Sequence, residues 1–360
     1  MAVLFFGFNL LVGALVAAEP PDAAPRRFSR FFVFGALQSE ELARKAQACG
    51  VTDSSVALDA AQLERARRHG IRAYVGFGPC GPHTQVMAPE ELARARFLGG
   101  SDIPRTNRVA ARLERWRQAN YQHGGEPRPH SGAIEVMYEV SQCFIGEAGR
   151  AAGRRRLDES VAKLKTMDGV SIDGFAFDYI GYANFKGCYH PDCLVLCRRY
   201  LEDQGLDDNE TNRNAFYLAE LVAYNNAMVD HIKGINPEWK VMNHVYPVFL
   251  PEPLYGNRLK VDYCGQTVAW YFVWPEERVR RYASVTVGRQ HQHFGHVKGV
   301  PFVGFGRSAA FDHKTPAILE RELKAILESG ADSLMLHTFK EAADDPEIVA
   351  LLMKYCAPEP

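Results

Sequence analysis

The chain carries almost no net charge: 42 Lys and Arg stand against 43 Asp and Glu, a formal balance of −1. It therefore offers no long-range field for gathering nucleic acid or anionic lipid. Glycine-rich phosphate cradles are missing too. FFVFGALQSEE lacks the repeated glycines of a dinucleotide or P-loop fingerprint, and GFGPCG and VGFGRS hold glycines without the helix start such loops need. No G-x-S-x-G element marks a serine nucleophile. Past the N-terminus there is no apolar run of membrane-spanning length. What remains is 47% hydrophobic and 24% charged residues, enough for a sizeable globular core. Carboxylate chemistry is the simplest reading left, and no cofactor is expected.

The first eighteen residues, MAVLFFGFNLLVGALVAA, contain no charge and end on small side chains before Glu19, Pro20 and Pro21. Val16 and Ala18 fit the cleavage rule of a secretory signal peptide, and the run is short for a spanning helix of about 20 residues. Residues 1–18 are thus expected to be a signal peptide, or a membrane anchor if uncleaved, with 19–27 a disordered linker. Export permits disulfides among the eight cysteines, and buried free thiols are equally compatible with the sequence.

Over 28–360, short runs rich in β-branched and aromatic residues alternate with helical patterns. Eight such runs are expected to be strands: 31–34, 54–58, 71–77, 174–178, 240–245, 260–264, 300–305 and 332–338. Helical patterns such as SEELARKAQAC, RLDESVAKLKTM and LAELVAYNNAMVDHIKG separate them, with Ser39 placed to cap the first. Eight βα units predict a single (β/α)8 TIM barrel domain of class α/β, with a long insertion at about 78–150 after strand three.

In such a barrel the strand C-termini form the active face. Strand four, GFAFD, ends on Asp178. Side chains alternate along a strand, so Gly174, Ala176 and Asp178 share one face and Phe175 and Phe177 the other. Small residues suit the barrel interior and aromatics the layer under the helices, which points Asp178 into the mouth. Strand-final Asp also caps turns, so both roles stand at this point.

The stretch SIDGFAFDYIGYANFKGCYHPDC resembles the strand-four region of a family of secreted TIM-barrel proteins classed as candidate glycoside hydrolases. Asp173, Gly174, Phe175, Phe177, Asp178, Tyr179, Cys188 and Cys193 carry the likeness. The resemblance implies a carbohydrate-active hydrolase in which Asp178 corresponds to the strand-four catalytic carboxylate. The long insertion departs from the family pattern.

Glycosidic cleavage ordinarily uses two carboxyl groups. Glu276 and Glu277 in the loop after strand six, Glu341 after strand eight, and Glu135 and Glu139 in the insertion are the candidates for the second, with a solvated helix start as the alternative role of PEE. Sugar recognition needs polar anchors and aromatic platforms. Asn243, His244, Gln266, Arg307 and His337 supply the former, and Tyr179, Tyr182, Tyr246, Trp270 and Trp274 the latter.

Cys188, His190, Asp192, Cys193 and Cys197 could be read as a zinc set, but C-x4-C-x3-C is not a usual zinc spacing, and export favours a disulfide such as Cys188–Cys193. His291, His293 and His296 fall between a helix and a strand, on the face opposite the chemistry, and read as a solvated loop. Three functions stay open: an exported glycoside hydrolase acting on an oligo- or polysaccharide, a non-catalytic carbohydrate-binding barrel, and a metal-dependent hydrolase.

Overall fold

The computed structural model describes residues 27–77, 144–180, 191–245, 258–269, 273–289, 291–306 and 314–358. Short polar side chains start its helices. Ser39 accepts from the Leu42 amide before α1 (Glu40–Ala48), as its position in the sequence predicts, and Asp59 accepts from Gln62 before α2 (Ala60–Arg68). Asn209 caps a long helix, Glu210–Ile235, and Thr315 and Asp345 cap Pro316–Glu328 and Pro346–Cys356. Each such cap stabilises by about 1 kcal/mol.

The strands are β1 (Arg30–Phe34), β2 (Asp53–Val56), β3 (Arg72–Phe77), β4 (Gly174–Ile180), β5 (Lys240–Val245), β6 (Tyr263–Ala269), β7 (Lys298–Gly304) and β8 (Ser333–His337). All neighbours pair in parallel and in chain order. β1 closes the ring, with Phe32 opposite Asp53 on one side and Met335 on the other. After α1 and α2, the helices between strands are α3 (Gly146–Lys165), α4 (Pro191–Asp203), α5 (Glu210–Ile235), α6 (Glu276–Arg289) and α7 (Pro316–Glu328), followed by α8 (Phe339–Ala343) and α9 (Pro346–Cys356). This is the (β/α)8 TIM barrel expected from the spacing of the apolar runs.

Alternation divides the core into two shells. Phe32 and Phe34 point inward: Phe32 meets Tyr74 and Tyr263, and Phe34 meets His244, Phe302 and His337 across the barrel. On β4 the aromatics point outward. Phe175 packs edge-on to Trp239 at 5.7 Å, and Phe177 lies 5.8 Å from Phe77, which also carries the Arg156 guanidinium of α3. Ala176 therefore faces the interior, as the strand pattern predicts. Phe175 and Phe177 are fully buried, each contributing about 2–3 kcal/mol through apolar burial.

An ionic cluster closes part of the N-terminal end. The Asp53 carboxylate, without solvent exposure, accepts from Arg30 Nε (3.0 Å) and Nη2 (2.7 Å), from Arg72 Nε and Nη2 (both 2.8 Å), and from Thr52 Oγ1 (2.6 Å). Arg30 also donates to the Tyr74 and Tyr263 hydroxyls. Burial alone would raise the Asp53 carboxyl, but hydrogen bonds from Arg72 and Arg30 outweigh it and hold the group below its ordinary range.

Several elements depart from expectation. β6 runs over 263–269 rather than 260–264, so Gln266 stands in the strand and not in a loop. GQTVA reads as loop because it opens on glycine and a polar amide. Gly265 is needed there because a Cβ would fall 2.6 Å from the Met335 sulfur across the barrel and 2.5 Å from the Asn243 carbonyl. Helix α3 begins at Gly146, ahead of the apolar periodicity, and its glycines permit the contact that stabilises it. A Cβ at Gly153 would lie 2.4 Å from Tyr224 Oη and 2.6 Å from Met228 Sδ of α5. The helix thus starts within the stretch of about 78–150 read as an insertion. Residues 78–143 lie outside the described residues.

The structure also corrects the reading of the cysteine loop. Cys193 and Cys197 sit on α4 as buried thiols, so the disulfide expected at Cys193 is not formed. Cys49, Cys264 and Cys356 are buried thiols as well. Cys188 falls outside the described residues.

Candidate active site

The C-terminal mouth of the barrel is built from residues that alternation turns inward at the strand ends. His244 of β5 stacks on Phe302 of β7, with ring centroids 3.6 Å apart and planes within 11°. Its Nε2 lies 2.9 Å from Thr267 Oγ1, and Thr267 donates its own proton to the Val245 carbonyl at 3.0 Å. The hydroxyl has one proton, so Nε2 carries the hydrogen of this pair and the imidazole orientation is fixed. Phe34 packs against both His244 and His337, which is half-buried at the end of β8. Neither Thr267 nor Phe302 nor Phe34 is singled out by sequence motif. The pairing of β5 with β6 and the inward parity of each strand bring them together.

Strand parity separates the other candidates on these strands. Asn243 neighbours His244 and Gln266 neighbours Thr267, so both amides project from the outer side of the wall. Both are buried, and apart from the Cys264 thiol beside Asn243 neither carboxamide finds a hydrogen-bond partner among the described residues. The expectation that they share the mouth with His244 fails on alternation alone. Burial pushes the Cys264 thiol up to about 12, against a small opposing effect of Asn243, so it stays protonated at neutral pH.

The Asp178 backbone lies in β4, where the register against β5 shifts between Phe177 and Ile180, and its side chain is outside the described residues, as is that of Tyr179. Tyr182, Tyr246, Trp270, Arg307, Glu135 and Glu139 also lie outside them. Asp173, at the other end of the DGFAFD stretch, ties strands together. Its carboxylate accepts from the Ala73 amide at 2.8 Å and its backbone joins β3 to β5.

The three remaining carboxylates differ in setting. Glu276 is exposed in the first turn of α6 and pairs with Arg280, one turn along the same helix, at 2.5 Å. Glu277 beside it is exposed. Glu341 is half-buried in the first turn of α8, four residues after His337, at the end of the barrel where β8 terminates. Trp274, two residues ahead of α6, is buried, with the Arg278 guanidinium 3.6 Å from its ring centroid.

Two features stiffen the loops around this end. Phe305 N–H donates to the His337 carbonyl at 2.6 Å and Thr338 N–H to the Phe305 carbonyl at 2.8 Å, extending the β7–β8 ladder past both strands. Lys314, just ahead of α7, makes a 2.7 Å ion pair with Glu322, and both are buried. Burial lowers the Lys314 pKa and raises that of Glu322. On the opposite face, His291 and His293 are exposed and His296 Nε2 contacts the Lys260 carbonyl at 2.9 Å.

No protein-family model matches the chain, and no curated protein matches it. Solved structures do match in fold. The PgaB (BpsB) glycoside hydrolase domain from Bordetella bronchiseptica is similar with a TM-score of 0.54 and 12% identity over 91% of this chain and 98% of that domain. A β-galactosidase from the psychrophilic Marinomonas ef1 aligns with a TM-score of 0.56 and 10% identity over 90% of this chain. One from the Antarctic haloarchaeon Halorubrum lacusprofundi aligns with a TM-score of 0.52 and 13% identity, also over 90%. The chain spans 58% and 57% of those two enzymes.

Proposed function

We propose that this barrel is an exported glycoside hydrolase that cleaves an oligo- or polysaccharide, with Asp178 as its strand-four carboxylate. The observation that carries the reading is the position of the Asp178 backbone near the C-terminal end of β4, in a barrel whose mouth holds the oriented imidazole of His244 and the half-buried His337. The fold similarity to glycoside hydrolase barrels supports it. Glu341 is the better partner than Glu276, because Glu276 lies on the exposed helical layer whereas Glu341 is half-buried in the first turn after β8, at the C-terminal end of the barrel. Asp178 acts as nucleophile or base and Glu341 as the acid that protonates the leaving oxygen. His244 and His337 hold sugar hydroxyls, joined by Tyr179, Tyr182, Trp270 and Arg307.

Purified protein assayed against a panel of oligosaccharides and polysaccharides tests this reading. Turnover that disappears in Asp178→Asn supports it; activity that survives the substitution removes Asp178 from the chemistry. Binding without turnover makes the protein a carbohydrate-binding barrel, and loss of turnover on chelation makes it a metal-dependent hydrolase. Proton NMR of the first-formed anomer separates retention from inversion, which follow carboxyl separations of about 5 and 6.5–9.5 Å. Export through residues 1–18 is checked by N-terminal sequencing of the secreted form, expected to begin at Glu19.

A further inference from the structure

The N-terminal end of the barrel holds a cavity of about 480 Å³ beneath β3, β4, β5 and β6, within the usual range for small-molecule sites. Its wall combines aromatic surface with open hydrogen-bonding groups. Trp239, Tyr74 and Tyr263 line it. Tyr263 Oη accepts from Arg30, which leaves its own proton to donate. Arg72 spends Nε and Nη2 on Asp53, and Nη1 makes no bond among the described residues. Asp173 gives one carboxylate oxygen to the Ala73 amide and keeps acceptor capacity, and Glu238 and Asn236 stand at the rim.

Charge selects among ligand classes. Arg30 and Arg72 against Asp53 leave one positive charge. Lys233 and Lys240 against Asp262 leave another. Asp173 and Glu238 cancel both. A site balanced in this way gives no net attraction to an oxyanion, and its donors and acceptors would be left unpaired by an apolar ligand. Aromatic rings interleaved with planar polar forks suit a ligand with apolar C–H faces and vicinal hydroxyls.

We propose that this cavity is a second saccharide-binding site, at the end of the barrel opposite the mouth, taking one or two residues of a neutral glycan. Trp239 supplies the stacking surface, Arg72 and Tyr263 donate to ring hydroxyls, and Asp173 accepts from them. The site does not depend on catalysis at Asp178.

Isothermal titration of the full chain carrying Asp178→Asn tests it, with lactose, cellobiose and N,N′-diacetylchitobiose as neutral probes and glucuronate and sulfate as anionic ones. The expected result is saturable binding of at least one neutral disaccharide, weakened about tenfold or more, equivalent to about 1.4 kcal/mol, by Trp239→Ala and by Tyr263→Phe. Trp239→Phe preserves an aromatic partner for Phe175, and its intermediate loss separates stacking from misfolding, which thermal melts of each variant check. No disaccharide binding, binding of the anions alone, or binding unchanged by Trp239→Ala and Tyr263→Phe overturns the proposal. Because every arm carries Asp178→Asn, these outcomes are independent of whether the mouth hydrolyses glycosides.

Discussion

Replacing Asp53 with Asn puts the barrel's ionic closure to a quantitative test. The native carboxylate accepts five hydrogen bonds from Arg30, Arg72 and Thr52. Asn keeps one acceptor oxygen and turns an NH2 group toward guanidinium donors, so about two charge-assisted hydrogen bonds are lost, at about 1.5–3 kcal/mol each. The Arg72 side chain is 42% exposed and can turn to water, whereas that of Arg30 is 19% exposed and cannot do so as readily. Discounting for that relief leaves about 3 kcal/mol. With an unfolding entropy of about 2.1 cal/mol/K per residue over roughly 300 residues, the midpoint should fall by about 5 °C. The acid dependence follows from linkage. Asp53 is depressed in the folded state, so its contribution is complete above the unfolded value of about 3.9 and is lost as pH falls through the lower folded value. Thermal melts from pH 8 to pH 3 should show a constant gap between parent and Asp53→Asn down to about pH 5, narrowing only in stronger acid. A gap below about 1 °C at pH 7, or one already closing at neutral pH, would refute the assignment of this cluster as a stabilising closure.

Thr267→Val removes the buried hydroxyl that pairs with His244 Nε2 and should cost about 1–3 kcal/mol in urea unfolding, while Thr267→Ser should recover most of it. Lys314→Met or Glu322→Leu alone strands a buried charge, at about 3–5 kcal/mol, whereas the double substitution should cost clearly less than either single change. Additive losses in a double-mutant cycle would show that the pair is not coupled. Gly153→Val forces α3 away from Tyr224 and Met228 and should destabilise by about 1–3 kcal/mol or more, read as a lower thermal midpoint. Under the proposed function, Glu341→Gln should lower kcat by about 10²- to 10⁴-fold with the fold intact; an unchanged rate returns the acid role to another carboxylate.

The barrel is legible in the sequence because most strands announce themselves as short runs of apolar, often β-branched or aromatic, residues, and because βα alternation leaves few topologies. β6 hides behind Gly265 and Gln266, whose sequence signature is that of a loop, while the closeness of Met335 that makes the glycine necessary is a tertiary fact. The start of α3 is hidden for the same reason: GEAGRAAG has poor intrinsic helix propensity, and contact with α5 overrides it. Asn243 and Gln266 are a different case, since alternation with the inward His244 and Thr267 puts these two on the outer side of β5 and β6, and that signal lies in the sequence. The Arg30–Asp53–Arg72 cluster comes from the openings of three different strands, where no spacing joins its members. Only the parallel register does, setting Asp53 beside Arg72 and Phe32.

The reciprocal backbone bonds between Phe305 and the His337–Thr338 segment carry a mechanical implication. They rivet the two chain segments that leave β7 and β8, so the segment through Phe305 and the turn bearing Glu341 share one foundation. A displacement of either is transmitted to the other, and transplanting one loop into another barrel without its neighbour would import a side chain without the anchorage that sets its position.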